Sequence, residues 1–262
     1  MADPLLDRVA AAVSETADMA MGLWHADESR VRKWEKYPGH PVCEVDIEAD
    51  RLLRERLTVI DPGAAWLSEE TADDLVRLRH ERIWVVDPID GTRDYLRGRR
   101  GWAVSVALVE KGEPVLGLLA APARRELWVA QKGKGAWRNG EPLVASRRKI
   151  FSGARVPADQ LPKVDFDLTQ VHKPNSIALR MAMVAADEAD LVATVRWGNE
   201  WDIAAAMLIA QEAGATVTDA LGQKLSFNRE NPTAFGVLCC APDIHSAAVE
   251  RLSGRAREIL GS

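Results

Sequence analysis

Ten residues, Ile83 to Thr92 (Ile-Trp-Val-Val-Asp-Pro-Ile-Asp-Gly-Thr), narrow what this chain can fold into more than any other stretch. Four apolar residues of mostly β type run straight into two carboxylates three positions apart, with Pro88 and Gly91 among them. The pattern predicts a buried strand that ends in a stiff acidic turn. Pro88 fixes its own φ and pushes Asp87 towards an extended conformation, while Gly91 allows a backbone shape closed to residues with a side chain. Asp87 and Asp90 can then point into one pocket. Hard divalent cations such as Mg²⁺ take oxygen ligands, one or two carboxylates with carbonyls and waters completing the shell. Asp87, Asp90 and the carbonyl of Ile89 fit that description. Asp-Pro and Asp-Gly are also common turn formers, so the motif by itself leaves a purely structural turn open.

The chain has 262 residues, 47% of them hydrophobic, enough for one large domain or two lobes with a substantial core. No stretch is long and apolar enough to cross a bilayer and the N-terminus lacks a signal-peptide core, so a soluble, cytoplasmic protein is expected. Cys43 and the adjacent Cys239 and Cys240 have the spacing of neither a zinc site nor a disulfide framework, and are read as reduced and structural. A net charge of −5 argues against broad electrostatic contact with a nucleic-acid polymer. An anionic substrate would need local help from metal ions or a few cations. The densest cationic run, Arg97-Gly-Arg99-Arg100, reads as a solvated loop.

Residues 3–24 predict an amphipathic helix capped by Asp3. Arg32 to Pro41 has no clear period and reads as a mobile loop that could close over a site. A second helix starts at about Val45, with Asp46 near its start as an N-cap or first-turn carboxylate. Ala64 to Leu67 is a short strand running into Ser68-Glu69-Glu70, a second acidic strand end. Clustered like charges repel unless a cation neutralises them. The stretch 102–130 predicts an antiparallel meander, and Asn139-Gly140 a tight turn. A seam between two lobes, 1–150 and 151–262, is placed in the polar stretch from Ser146 to Pro174. Beyond it come a helix capped by Ser176, a strand at 191–194, and a loop, Arg196 to Asp202, ending at a helix over 203–213 with Asp202 as its N-cap. Strands at 216–218 and 235–240 and a final helix from Asp243 complete the chain.

Taken together, Asp87-Pro-Ile-Asp-Gly-Thr92, preceded by Ser68-Glu-Glu70 and followed by Trp201-Asp202 before an alanine-rich helix, resembles the inositol monophosphatase family of Mg²⁺-dependent, lithium-sensitive phosphatases. The resemblance implies an α/β, layered αβαβα sandwich with a small-molecule phosphate ester as substrate, two or three Mg²⁺ ions per site, and a possible homodimer. Its metal ligands would be Glu69, Asp87, the Ile89 carbonyl, Asp90 and Asp202. Thr92, paired with Asp46, would orient and help deprotonate the attacking water, with Glu70 as a further acid. Two adjacent cations suit such chemistry, since they activate water and stabilise the leaving oxygen. Amides of Gly91 and Thr92 would cradle the phosphate if they open a helix. No Ser, Cys or His is arranged as a covalent nucleophile.

Inositol phosphatases of this family usually carry a glutamate a few residues ahead of the Trp-Asp pair. Val195 to Glu200 has no acid at that place and has Arg196 instead. With Ser176 and Arg180 at the start of the preceding helix, the pattern is more similar to the 3′(2′),5′-bisphosphate nucleotidase branch, because two arginines suit a second phosphate. Arg180 could equally be an exposed helix residue, and Trp197, which could stack on adenine, is more simply a buried tryptophan. The branch's usual Ser-Pro-Val-Thr before the early aspartate is missing, with Cys43 in place of the threonine, which leaves open what Lys36 reaches. The leading expectation is hydrolysis of adenosine 3′,5′-bisphosphate at its 3′-phosphate. The alternatives are an inositol-1-phosphate or other sugar phosphatase, and a non-catalytic metal-binding protein.

Overall fold

A computed structural model describes residues 4–24, 32–37 and 40–261. Its first helix is α1 (Pro4–Leu23), which buries Val9, Val13, Ala17 and Ala20 along one stripe; Asp3, the expected cap, lies outside the described residues. The hairpin β1 (Lys33–Tyr37) and β2 (His40–Cys43) leads into α2 (Glu44–Ile60) and β3 (Ala65–Ser68). The motif forms β4 (Arg82–Asp90) and opens the short α3 (Thr92–Leu96). Next come β5 (Ala103–Glu110), β6 (Glu113–Ala121), β7 (Glu126–Gln131), β8 (Gly135–Arg138) and β9 (Glu141–Pro142), each antiparallel to its predecessor as the meander required. The second half holds β10 (Arg155–Pro157), β11 (Thr169–Val171), α4 (Ile177–Ala185), β12 (Leu191–Ala193), β13 (Trp197–Asn199) and α5 (Glu200–Glu212). It ends with β14 (Thr216–Thr218), β15 (Thr233–Phe235), β16 (Leu238–Cys240) and α6 (His245–Leu260).

These elements stack in five layers. A seven-stranded sheet, β3-β4-β5-β6-β7-β8-β9, carries α1 and α2 on one face and α4 and α5 on the other. A three-stranded sheet, β12-β16-β14, covers the far side of α4 and α5 and is itself covered by α6. The side-chain alternation of a strand allows this. On β4, Trp84 and Val86 face α1 and α2, while Ile83 and Val85 face α4 and α5. On β16, Cys239 faces inward and Leu238 and Cys240 face α6. A strand buried on both faces reads as an unbroken apolar run, which is why the motif strand stands out in the sequence. Each such side chain contributes about 1.5–3 kcal/mol relative to exposure.

The end of β4 decides where the acidic groups point. Residues three apart on a regular strand face opposite sides. Against β5, however, Asp87 pairs with Ser105 and Asp90 with Ala103, so three steps on β4 match two on its neighbour. The extra residue is a β-bulge, and it falls at Pro88-Ile89, where a residue without an N–H removes no needed ladder bond. Asp87 and Asp90 therefore line the same cleft. Gly91 follows with φ +97°, and a side chain there would lie 2.6 Å from the Gly101 carbonyl oxygen.

Several expectations needed correction. Residues 33–37 and 40–43 form an antiparallel hairpin rather than a loop. None of residues 33–36 of its first strand is buried, so no apolar alternation marks them. The run 235–240 divides between two sheets, because Gly236 at φ +70° turns the chain between β15 and β16. Helix α5 starts at Glu200 with Asn199 as its cap, so Asp202 is the third helical residue, not the cap. A single 3₁₀ turn, Pro242–Ile244, precedes α6.

One buried ionic knot ties the polar stretch after β9 to the small sheet. Asp190, 1% exposed, accepts from the Arg155 amide at 2.8 Å, from its guanidinium at 2.7 and 3.0 Å, and from the Ser146 hydroxyl. Burial alone would raise this carboxyl, but the Arg155 bonds outweigh it and hold the pKa at about 2. A depressed carboxyl stabilises the fold above its unfolded pKa of roughly 4, and that contribution is lost as pH falls towards 2. Asp190→Asn should therefore cost on the order of 2 kcal/mol at pH 7. The wild-type minus variant difference, measured by urea denaturation, should shrink between pH 4 and pH 2; a difference independent of pH would contradict this account.

Candidate active site

Three elements deliver carboxylates to one point. Strands β3 and β4 are parallel neighbours with Ser68 paired to Val86, so Glu69 and Asp87 leave the same edge side by side. Helix α5, packed on the sheet, brings Asp202 in its first turn. One carboxylate oxygen of each of Glu69, Asp87 and Asp202 lies within 4.8 Å of the others. Burial, then the charges of Glu69, Asp90 and Asp202, raises the Asp87 carboxyl well above the usual range. Burial, with Asp90 and Glu69, pushes Asp202 up to about 8. An all-oxygen cluster in which Asp87 and Asp202 are both held above the usual carboxylate range is what a hard divalent cation would relieve.

Asp90 lines the same cleft but is held by α4. It accepts from the Ser176 hydroxyl at 2.5 Å and the Ala178 amide at 2.8 Å, at the positive end of that helix. Burial nevertheless raises it to about 6. Ser176 is fully buried, and its hydroxyl also accepts from the Leu179 amide. Its contact is with Asp90, not with the open cleft.

Beside this lies a second acid cluster. Asp46, buried in the first turn of α2, receives the Cys43 amide and thiol on Oδ2 and the Thr92 hydroxyl on Oδ1 at 3.0 Å. The Thr92 hydroxyl also lies 3.0 Å from the Ile89 carbonyl oxygen. Burial, against the bonds from Cys43 and Thr92, raises Asp46 to about 6. Glu70 is pushed by burial to about 7 although Lys36 bonds it at 2.6 Å. Lys36 also reaches the Glu69 carboxylate at 3.4 Å and its carbonyl at 3.1 Å. The hairpin thus supplies the cation nearest the acidic strand end. Asp50, one turn beyond Asp46, binds the Ser68 and Thr71 hydroxyls and so braces the Glu69-Glu70 turn. Sequence reading missed Asp50, though its i,i+4 spacing from Asp46 placed both on one helix face.

Glu69, Asp87, Asp90, Thr92 and Asp202 line a cleft of about 280 Å³ that also holds Gly91, Arg180, Arg196 and Trp197. Arg180 is only 8% exposed, not a surface residue of α4. Its guanidinium donates to the Asn175 and Ser176 carbonyl oxygens at 2.6 and 3.2 Å, and has no carboxylate partner among the described residues. Trp197 is 58% exposed, against the expectation of a buried ring.

A cluster of this kind is destabilising until a cation fills it. Asp202→Asn keeps an oxygen for the Asn199 amide, which Asp202 now receives at 3.0 Å, and removes one charge. In EDTA the variant should melt no lower than wild type. Wild type should gain about 2.7 kcal/mol of stability at Mg²⁺ a hundredfold above its dissociation constant, and the variant much less. An equal Mg²⁺-dependent rise in Tm for both would contradict this assignment of Asp202.

Residues 2–258 match the model of the inositol monophosphatase family. A Thermotoga maritima protein named fructose-1,6-bisphosphatase/inositol-1-monophosphatase is 32% identical over 212 residues, 77% of this chain and 81% of that one. The 3′(2′),5′-bisphosphate nucleotidase CysQ of Salmonella typhimurium is 33% identical over 203 residues, 73% and 81% of the two chains. Among solved structures, the Thermotoga maritima IMPase superposes with a TM-score of 0.83 at 29% identity, covering 97% of this chain and 98% of its own. The layered fold, the acidic cleft and the match over residues 2–258 agree: the chain belongs to the inositol monophosphatase family of metal-dependent phosphatases.

Proposed function

We propose that the protein is a Mg²⁺-dependent 3′(2′),5′-bisphosphate nucleotidase of the cytoplasm that removes the 3′-phosphate of adenosine 3′,5′-bisphosphate and leaves AMP. The choice of ester rests on Arg180, a buried guanidinium on the wall of the acidic cleft that has no ion pair among the described residues. Burying an unpaired cation is costly, and a second phosphate on the substrate would satisfy it with charge-assisted, bidentate bonds. Arg196 adds another positive charge to the same cleft. Glu200 offers no substitute for an inositol-binding glutamate, since it is 1% exposed and accepts from the Asn228 and Arg229 amides at 2.7 and 3.0 Å. Three buried cysteines outside any disulfide fit a reducing compartment.

Glu69, Asp87, Asp90, Asp202 and the Ile89 carbonyl would hold two or three Mg²⁺ ions, which when bound draw charge from the phosphoryl oxygens and acidify water. The Thr92 hydroxyl has one proton and two acceptors. By donating to Asp46 it leaves its own oxygen free to accept from, and aim, the attacking water. Asp46 and Glu70, raised by burial to about 6 and about 7, can take up a proton near neutral pH. Amides at the start of α3, Gly91 and Thr92 among them, lack intrahelical partners and suit phosphate oxygens. The Cys43 thiol is buried and bonded to Asp46, so direct attack by water needs no covalent intermediate.

The test is phosphate release from adenosine 3′,5′-bisphosphate and inositol 1-phosphate, each with Mg²⁺ and with EDTA. The bisphosphate should be preferred and both activities lost in EDTA. Arg180→Gln and Arg196→Ala should each raise KM for the bisphosphate roughly tenfold or more, the worth of one charged hydrogen bond, and barely alter that for inositol 1-phosphate. Preference for inositol 1-phosphate, or equal effects on both esters, would overturn the choice of substrate and leave the phosphatase chemistry in place.

A further inference from the structure

Trp197 is the only aromatic side chain among the described residues that line the cleft. It sits on β13, whose register with β15 sets Trp197 opposite Phe235. The two rings meet edge to face, 5.3 Å between centroids at 67°. One edge of the indole is thus anchored while 58% of the residue stays in water. Five residues on, the same strand and helix junction delivers Asp202 to the acidic cluster. Leaving a large apolar ring exposed forgoes burial worth about 25 cal/mol per Å², and here the ring is fixed in place beside Arg196 and within one cleft with Arg180. The cleft therefore combines carboxylates suited to cations, arginines suited to phosphate and one rigid π surface. A phosphate ester whose leaving group carries a flat heterocycle matches all three, since any base presents a face to an aromatic platform.

We infer that Trp197 is the platform on which the base of a nucleoside bisphosphate stacks, so that the cleft selects its ester by a base contact as well as by the second phosphate. This rests on the nucleotidase reading and adds a specificity-determining residue to it.

Kinetics of the full chain with Mg²⁺ separate the two. The substrates are adenosine 3′,5′-bisphosphate, ribose 3,5-bisphosphate, which keeps both phosphates and lacks the base, and inositol 1-phosphate. Trp197→Ala should raise KM for the nucleotide about tenfold, in the range of one lost base–aromatic stack, with kcat within about twofold and no change for ribose bisphosphate. Trp197→Phe should restore most of the loss. An unchanged nucleotide KM in Trp197→Ala, or an equal rise for both bisphosphates, would overturn the stacking role. If Trp197→Ala instead lowers the molecular mass in solution and leaves the KM ratio intact, the ring belongs to a subunit contact and the inference fails. A wild-type preference for both bisphosphates over inositol 1-phosphate with no effect of the base would sink stacking alone. No preference for either bisphosphate would sink the nucleotidase reading with it.

Discussion

One extra residue in β4 is the constraint on which the cleft depends. Without the bulge at Pro88-Ile89, Asp87 and Asp90 would face opposite sides of the sheet. One of them would then enter an apolar layer with α1, α2, α4 or α5. With it, both reach the edge where β3 delivers Glu69, and the strand can stay apolar on both faces up to its last turn. Proline suits this position because a bulge leaves a backbone group without a ladder partner. Gly91 then reverses the chain where the Gly101 backbone leaves no room for a side chain.

The concentration of carboxylates at that edge is balanced in parts. Asp90 is satisfied by the N-terminus of α4 and the Ser176 hydroxyl, Asp46 by Cys43 and Thr92, and Glu70 by Lys36 from the hairpin. Burial works against the Lys36 charge, but Glu69 and Glu70 hold its ammonium above the ordinary value. Asp87 and Asp202 have no cationic partner among the described residues, and with Glu69 they are the three whose oxygens converge. The protein thus neutralises the acids that position the site with its own donors. The converging oxygens of Glu69, Asp87 and Asp202 are the set that a cation could bridge.

Much of this is legible in the sequence. The apolar run of β4, the turn residues of the meander and the stripe of α1 are local patterns, and local patterns are what periodicity reports. The hairpin of β1 and β2 was not legible, because residues 33–36 of β1 bury no apolar side chain and that strand is held by pairing with β2 and by Lys36 reaching Glu69 and Glu70. The role of Asp50 is not legible locally, because its partners, Ser68 and Thr71, lie 18 and 21 residues away, beyond the reach of a helical pattern. Ser176 was legible as a cap, but its hydroxyl's second duty towards Asp90 depends on a contact across 86 residues.

The sequence by itself determined the set of groups: carboxylates at two strand ends and at two helix starts, and a threonine closing the acidic turn. It could do so because each acidic turn carries its own backbone instructions in Pro88, Gly91 and the apolar residues before them. Only the tertiary structure decided which of these groups converge, that Arg180 is buried and unpaired by any carboxylate among the described residues, and that Trp197 stands open in the cleft. Burial and charge compensation are properties of neighbours brought together by packing layers, and no window along one segment contains them.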